Sequence, residues 1–138
     1  MTEPEVLVDT SVAVALIVGG HEAHDSTIEA LEGRVLGLAG HAWFETLSVL
    51  TRLPPPARRR PREIVDILGD NFPGSRFLPA EAARELTGRL AEIGVSGGAV
   101  YDALVAQAAV VHGLSLASRD RRAVDVYRAL GASVEMLT

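Results

Sequence analysis

The sequence predicts a three-layer α/β/α domain built around a central parallel sheet of about five strands. Three observations carry this expectation. Short apolar runs rich in branched residues alternate with segments of helical period, as in strands buried on both faces. Glycines and prolines punctuate the joins between them. The 138 residues, 48% of them apolar, suffice for one core but not two, so residues 1–138 read as a single domain.

Glu5 to Asp9 reads as the first strand: it is short, apolar and branched. Ser11 to Val18 then has the look of a short helix capped by Thr10 or Ser11, broken at Gly19-Gly20. His21 to Leu31 is amphipathic and helical, stopping at Gly33, and Val35 to Ala39 is the second strand. Ala42 to Leu53 follows as a helix with Phe44, Leu47, Val49 and Leu50 mostly inward. Pro54-Pro55-Pro56 ends it, because proline lacks an N–H and restrains its predecessor.

Pro61 opens a helix through Leu68, and Arg76 to Pro79 is a brief extended segment. Pro79 suits the first position of a helix through Ile93, with Ala83, Leu86, Leu90 and Ile93 on one stripe. Gly94 to Gly98 is a loop, Ala99 to His112 a helix, and Gly113 its stop. Leu114 to Ser118 is a strand, Asp120 to Leu130 the last helix, and Val134 to Leu137 the last strand. The order is β-α-β-α-β-α-β-α-β, with two helices in some steps.

Composition removes several chemistries. Without cysteine there are no disulfides, zinc-thiolate sites or thiol nucleophiles. All 13 basic residues are arginine, so P-loop and Schiff-base chemistry, which need lysine, are absent. No apolar run approaches the ~18 residues of a membrane span. The start, Thr2 to Glu5, is acidic and the run Val12 to Val18 is short, unlike a secretory signal, so a cytoplasmic protein is expected. A net charge of −5 argues against non-specific nucleic-acid binding by the whole surface, though not by a local patch.

Four acids stand where charge is out of place: Asp9 ends an apolar strand, and Glu45 is embedded in Ala42-Trp43-Phe44-Glu45-Thr46-Leu47. Asp102 interrupts Ala99-Val100-Tyr101-Asp102-Ala103-Leu104, and Asp120 follows Leu114-Ser115-Leu116-Ala117-Ser118-Arg119. Desolvating carboxylates is costly, and a shared cation is the common remedy. In open α/β sheets ligands bind beyond the carboxyl ends of the strands, and all four acids fall at or near such ends. Carboxylates without Cys or a His-rich motif suit Mg²⁺, with Mn²⁺ a possible substitute. Such ions can align and deprotonate water for phosphodiester hydrolysis.

Val8-Asp9-Thr10-Ser11, Glu45, Tyr101-Asp102-Ala103 and Ser118-Arg119-Asp120-Arg121-Arg122, in this order, resemble the PIN-domain nucleases. The chain length and the ending Tyr127-Arg128-Ala129-Leu130-Gly131 before a strand resemble the VapC toxins of bacterial toxin–antitoxin pairs. The resemblance covers essentially the whole chain. It implies a metal-dependent endoribonuclease, commonly a homodimer, with a small VapB-type antitoxin as partner and RNA as substrate. It implies Asp9 and Asp102 as main Mg²⁺ ligands, Asp120 assisting directly or through water, and Glu45 orienting or deprotonating water. Ser11 and Ser118 would support the acids by hydrogen bonds, and Arg122 stands where some relatives carry a further acid.

Each acid alone has an ordinary alternative. Asp9 and Asp120 could be helix caps, and Glu45 and Asp102 could lie on solvated helix faces. Asp125 reads as solvated or Arg-paired. His21, His24, His41 and His112 lack ligand spacing and read as surface residues. Arg119, Arg121 and Arg122 are candidates for holding substrate backbone. The Arg58-Arg59-Arg60 and Arg62 patch could meet RNA, an acidic partner surface or only water. Trp43 reads as core or dimer interface. Two other functions compete: a non-catalytic PIN-like protein-binding module, which a missing acid would favour, and a metal-dependent nuclease acting on DNA. An Asp-nucleophile phosphatase is set aside because Ser11 occupies the place of its second Asp and lysine is absent.

Overall fold

The computed structural model describes residues 5–138. The acidic start, Thr2 to Pro4, lies outside the described residues. Four parallel strands form the sheet: β1 (Glu5–Val8), β2 (Val35–Leu38), β3 (Leu116–Ser118) and β4 (Val134–Met136), in the order β2-β1-β3-β4. Register runs Val8↔Leu38, Val8↔Ala117 and Ala117↔Glu135. The helices are α1 (Thr10–Ile17), α2 (His24–Leu31), α3 (Ala42–Thr51), α4 (Pro61–Asn71), α5 (Ala80–Ile93), α6 (Ala99–His112) and α7 (Val124–Ala129). The α/β class and parallel sheet are as expected.

The sheet has four strands rather than about five. The expected fifth, Arg76 to Pro79, is reduced to a single parallel bridge between Ala39 and Arg76. Residues 74–76 do run beside β2: Gly74 N–H donates to Leu36 O, and Arg76 N–H to Leu38 O. Between them the Ser75 hydroxyl, not a backbone carbonyl, accepts from Leu38 N–H. A side chain thus occupies the ladder, and Pro79 follows too soon for pairing to resume. The approach is close enough that a Cβ on Gly37 would lie 2.2 Å from the Gly74 backbone.

Several element ends also move. Helix α1 is capped not by Thr10 or Ser11 but by Asp9, whose side chain accepts from Val12 N–H. Residues 21–23 form a turn because His21 Nδ1 accepts from Ala23 N–H, so α2 starts at His24. α3 stops at Thr51, and α4 continues past Leu68 to Asn71. Pro79 caps α5 rather than entering it. α7 starts at Val124 rather than Asp120, because the Asp120 side chain accepts from Arg122 N–H and bends residues 120–123 into a turn.

The core joins the strands Val6, Leu7, Val8 and Leu116 to α1, α4 and α6, through Val12, Leu68, Phe72, Val105 and Ala106. Alanines at 103, 106 and 109 give α6 a flat face that lies close to its neighbours. In α3, Ala42, Thr46 and Leu50 are buried at four-residue spacing, and Leu47 and Val49 are half-buried. Phe44 is not inward: it lies about 200° around the helix from Ala42 and is 58% exposed. On α5, Leu86 and Leu90 are buried, whereas Ala83 is half-buried and Ile93 exposed. Among the described residues no helix is long and apolar enough to cross a membrane.

Candidate active site

The four acids meet at the carboxyl edge of the sheet. Asp9 follows β1, Glu45 lies in the first turn of α3, Asp102 in the first turn of α6, and Asp120 two residues beyond β3. All four line one small cleft of about 40 Å³, with Thr10, Ser11, Val105 and Tyr127 completing its walls. That volume holds only a few water-sized particles. Gly40 makes the convergence possible. Its φ of +53° turns the chain from β2 into α3, and a Cβ there would press on Ala108 at 3.0 Å. Glu45 is thereby brought across to α6.

Asp9 is the anchor, and it is only 3% exposed. Its Oδ1 accepts from Ser11 Oγ at 2.5 Å and from Val12 N–H at 3.2 Å. Its Oδ2 accepts from Ser118 Oγ at 2.5 Å and from the Tyr127 hydroxyl at 2.9 Å. These donors take the place of water around a buried charge, which is what makes its burial tolerable. Ser11 and Ser118 thus both donate to this acid. They also tie it to the next one: Ser118 Oγ accepts from Asp120 N–H at 3.0 Å, and Ser11 Oγ from Arg119 N–H at 2.8 Å.

The other acids are less well compensated. Burial raises the Glu45 carboxyl above the ordinary range; His41 opposes this, and the charges of Asp102 and Asp9 add to it. Burial also raises Asp102, with Asp120 and Asp9 adding and Arg122 opposing. Four separate segments thus bring mutually repelling negative charges to one cleft. Asp120 is partly neutralised locally, since Arg122 Nη2 lies 3.3 Å from its Oδ2.

The cleft suits a hard divalent cation by the chemistry of its donors: carboxylate and hydroxyl oxygens, with an excess of negative charge. Among the described residues no three acidic or imidazole groups form a ready-made cage.

Sequence reasoning missed two residues here. Tyr127 is buried, and its phenol is pushed far up by burial first and by Asp9 next, so it remains a hydrogen-bond donor. Only its place among apolar residues of the last helix hinted at burial. His41 stacks on Tyr101, with ring centroids 5.0 Å apart, and its Nε2 lies 3.7 Å from Glu45 Oε1. Its spacing of four residues from Glu45 was the available signal. The other histidines serve locally: His24 Nδ1 meets Ala15 O, and His112 Nε2 meets Phe77 O.

The arginines divide. Arg121 and Arg122 are exposed beside Asp120, and Arg119 is half-buried. Arg58, Arg59, Arg60 and Arg62 are exposed at the start of α4. There Arg58 Nε donates to Leu53 O and Arg59 faces Glu63 at 3.9 Å. Arg59 lines a separate, mostly apolar cavity with Ile17 and Leu53, and none of the four acids lines it.

A parallel α/β sheet with four acids gathered at its carboxyl edge defines a PIN domain, and the PIN domain family matches residues 6–129. Within that class the chain belongs to the VapC family: it is 43% identical to Ribonuclease VapC27 of Mycobacterium tuberculosis over 96% of each chain. It is also 46% identical to Ribonuclease VapC40 of the same species, over 94% of this chain and 97% of that one. The fold matches VapBC2 from Rickettsia felis bound to a promoter DNA fragment, with TM-score 0.68 and 14% identity over 97% of this chain and 99% of that one. It matches DNA-bound VapBC from Salmonella typhimurium at TM-score 0.67 and 18% identity, over 99% and 98%.

Proposed function

We propose that the protein is a Mg²⁺-dependent endoribonuclease, the toxin of a toxin–antitoxin pair. The observation that carries this reading is the convergence of Asp9, Glu45, Asp102 and Asp120 on one cleft, with two of them raised by burial and mutual repulsion. The names of the VapC relatives supply the substrate class.

Asp9 and Asp102 would hold the ion, and Asp120 would assist directly or through water. Bound there, Mg²⁺ or Mn²⁺ supplies a Lewis acid and makes water a better nucleophile. Ser11, Ser118 and Tyr127 fix the Asp9 carboxylate so that little reorganisation is needed. Glu45, with its carboxyl raised, accepts the proton of the attacking water. The water oxygen bonds to phosphorus, one P–O ester bond breaks, the leaving oxygen takes a proton from solvent, and Glu45 returns its own to solvent. Arg119, Arg121 and Arg122 would hold flanking phosphates. No acid of the set is missing, which disfavours a purely protein-binding module.

The partner proposed is a VapB-type antitoxin, because the solved structures that the fold resembles are VapBC assemblies. A homodimer is supported by the edge-to-face pair of Trp43 and Phe77, with ring centroids 5.9 Å apart and Phe77 exposed. The deciding experiment is incubation with total RNA in Mg²⁺, with and without EDTA, with the cut ends mapped. Cleavage is expected in Mg²⁺ alone and not by an Asp102→Asn protein. RNA left whole by the wild type, or cut equally by the variant, overturns the reading.

A further inference from the structure

We propose that the cleft running along α3 away from the carboxylates is a subsite for one unpaired base of a single-stranded RNA. The base stacks on Tyr101, and Arg52 meets a flanking phosphate. The proposal rests on the nuclease reading of the neighbouring acids and adds the residues that would select the form of the strand.

Glu45 lines both the carboxylate cleft and this one, so the two are adjacent. The second cleft is larger, about 440 Å³, within the ~300–1,000 Å³ of small-ligand sites. At the shared end Tyr101 is 53% exposed and is backed by the His41 ring, 5.0 Å away and 22° from parallel. The Tyr101 ring thus offers an aromatic face to the cleft. Bases stack on such faces, and this is how proteins hold single strands.

The far end carries a cation. His41, Glu45, Ser48 and Arg52 all line this cleft, at spacings of four, three and four residues, which puts them on one face of α3. The eleven steps from His41 to Arg52 span roughly 16 Å along the helix. Arg52 Nε donates to Ser48 O at 3.1 Å and to Ser48 Oγ at 3.3 Å. This fixes the guanidinium at the cleft and leaves its Nη groups without a protein acceptor among the described residues. One face of α3 therefore runs from the acids, past an aromatic platform, to an anchored positive charge. A base paired within a duplex is stacked on its own neighbours and cannot reach Tyr101, so the subsite selects loops and single strands.

The test is binding of a fluorescein-labelled single-stranded oligoribonucleotide, read by anisotropy in Mg²⁺. The parent protein is Asp102→Asn, so that strands stay whole. Adding Tyr101→Ala is expected to raise Kd about tenfold or more, and Tyr101→Phe less than threefold, because the ring is retained. Adding Arg52→Ala is expected to lower the salt slope of log Kd by about 0.7, the share of one phosphate. Hairpin-free duplex RNA is expected to bind at least tenfold more weakly than the single strand. Equal Kd for Tyr101→Ala and its parent, equal losses for Ala and Phe, or duplex binding as tight as single-strand binding overturns the subsite. Wild-type protein that cuts no RNA, while the Kd pattern holds, overturns the nuclease reading and leaves the subsite standing.

Discussion

Tyr127 and Asp9, 118 positions apart in sequence, are joined by a hydrogen bond in which the phenol donates to Asp9 Oδ2 at 2.9 Å. The bond fastens the last helix to the end of the first strand, so the outermost part of the chain sets the central acid of the site. Tyr127→Phe removes the hydroxyl while keeping the ring in the core. A hydrogen bond to a charged group contributes ~1.5–3 kcal/mol. The variant is expected to lose that much unfolding free energy in urea titration, with m unchanged. A midpoint equal to wild type would show that Asp9 does not depend on this donor.

Asp9 both caps α1 and belongs to the proposed ion site, and one substitution separates the roles. Asparagine caps helices about as well as aspartate, and the Ser118 and Tyr127 hydroxyls can turn to accept from its amide. Asp9→Asn is therefore expected to fold while losing at least ~3 kcal/mol of transition-state stabilisation, roughly a hundredfold in rate. RNA cleavage is measured beside circular dichroism. Undiminished cleavage would falsify the assignment of Asp9 to catalysis.

Much of this site was readable in the sequence because the sheet's geometry is local. A strand followed by a turn or helix places its carboxyl-end residue at the ligand edge whatever the rest of the chain does, so Asp9 and Asp120 could be expected there, with Glu45 and Asp102 in helices expected to start near the same edge. Tyr127 was not readable, because its role depends on how α7 lies over β1, a relation between distant segments. The fifth strand was expected from the extended reading of Arg76 to Pro79. Only the hydroxyl of Ser75, occupying a ladder position, reveals why it is no more than a bridge. Phe44 was expected inward because it is apolar, yet hydrophobicity reports a tendency to be covered and not by which surface.

Glu45 and Asp102 predict a dependence of stability on pH and on metal. Both carboxyls are raised in the folded protein, from ordinary values of 4.5 and 3.8, by burial and then by neighbouring negative charge. The folded state therefore holds these protons more tightly than the unfolded chain. Their contribution to stability is complete below the unfolded values and is lost as pH rises through the raised folded ones. In EDTA the Tm is expected to fall from just above that acid range towards neutrality, and Glu45→Gln with Asp102→Asn should flatten the slope. At neutral pH, Mg²⁺ at a hundred times its Kd should restore ~2.7 kcal/mol by mass action. A Tm indifferent to Mg²⁺ at concentrations that support cleavage would count against an ion among these acids.

Ser118 makes the sharpest test of coupling between the acids. It is fully buried at the end of β3, its Oγ donates to Asp9 Oδ2 at 2.5 Å, and the same oxygen accepts from Asp120 N–H at 3.0 Å. One hydroxyl thus links the Asp9 carboxylate at the end of β1 to the backbone of Asp120 just beyond β3. Ser118→Ala leaves a buried carboxylate one donor short and an amide without its acceptor, at a cost of ~1–3 kcal/mol for each group left unpaired. Activity is expected to fall about tenfold, within the ~10–100-fold typical for losing a residue that orients metal ligands. The loss should be non-additive: in an Asp120→Asn background the amide still needs Ser118, but the carboxylate it positions is gone. Ser118→Ala should then cost less activity there than in wild type, while its cost in stability stays the same. Equal activity losses in both backgrounds would mean that Ser118 serves the fold and not the alignment of the two acids.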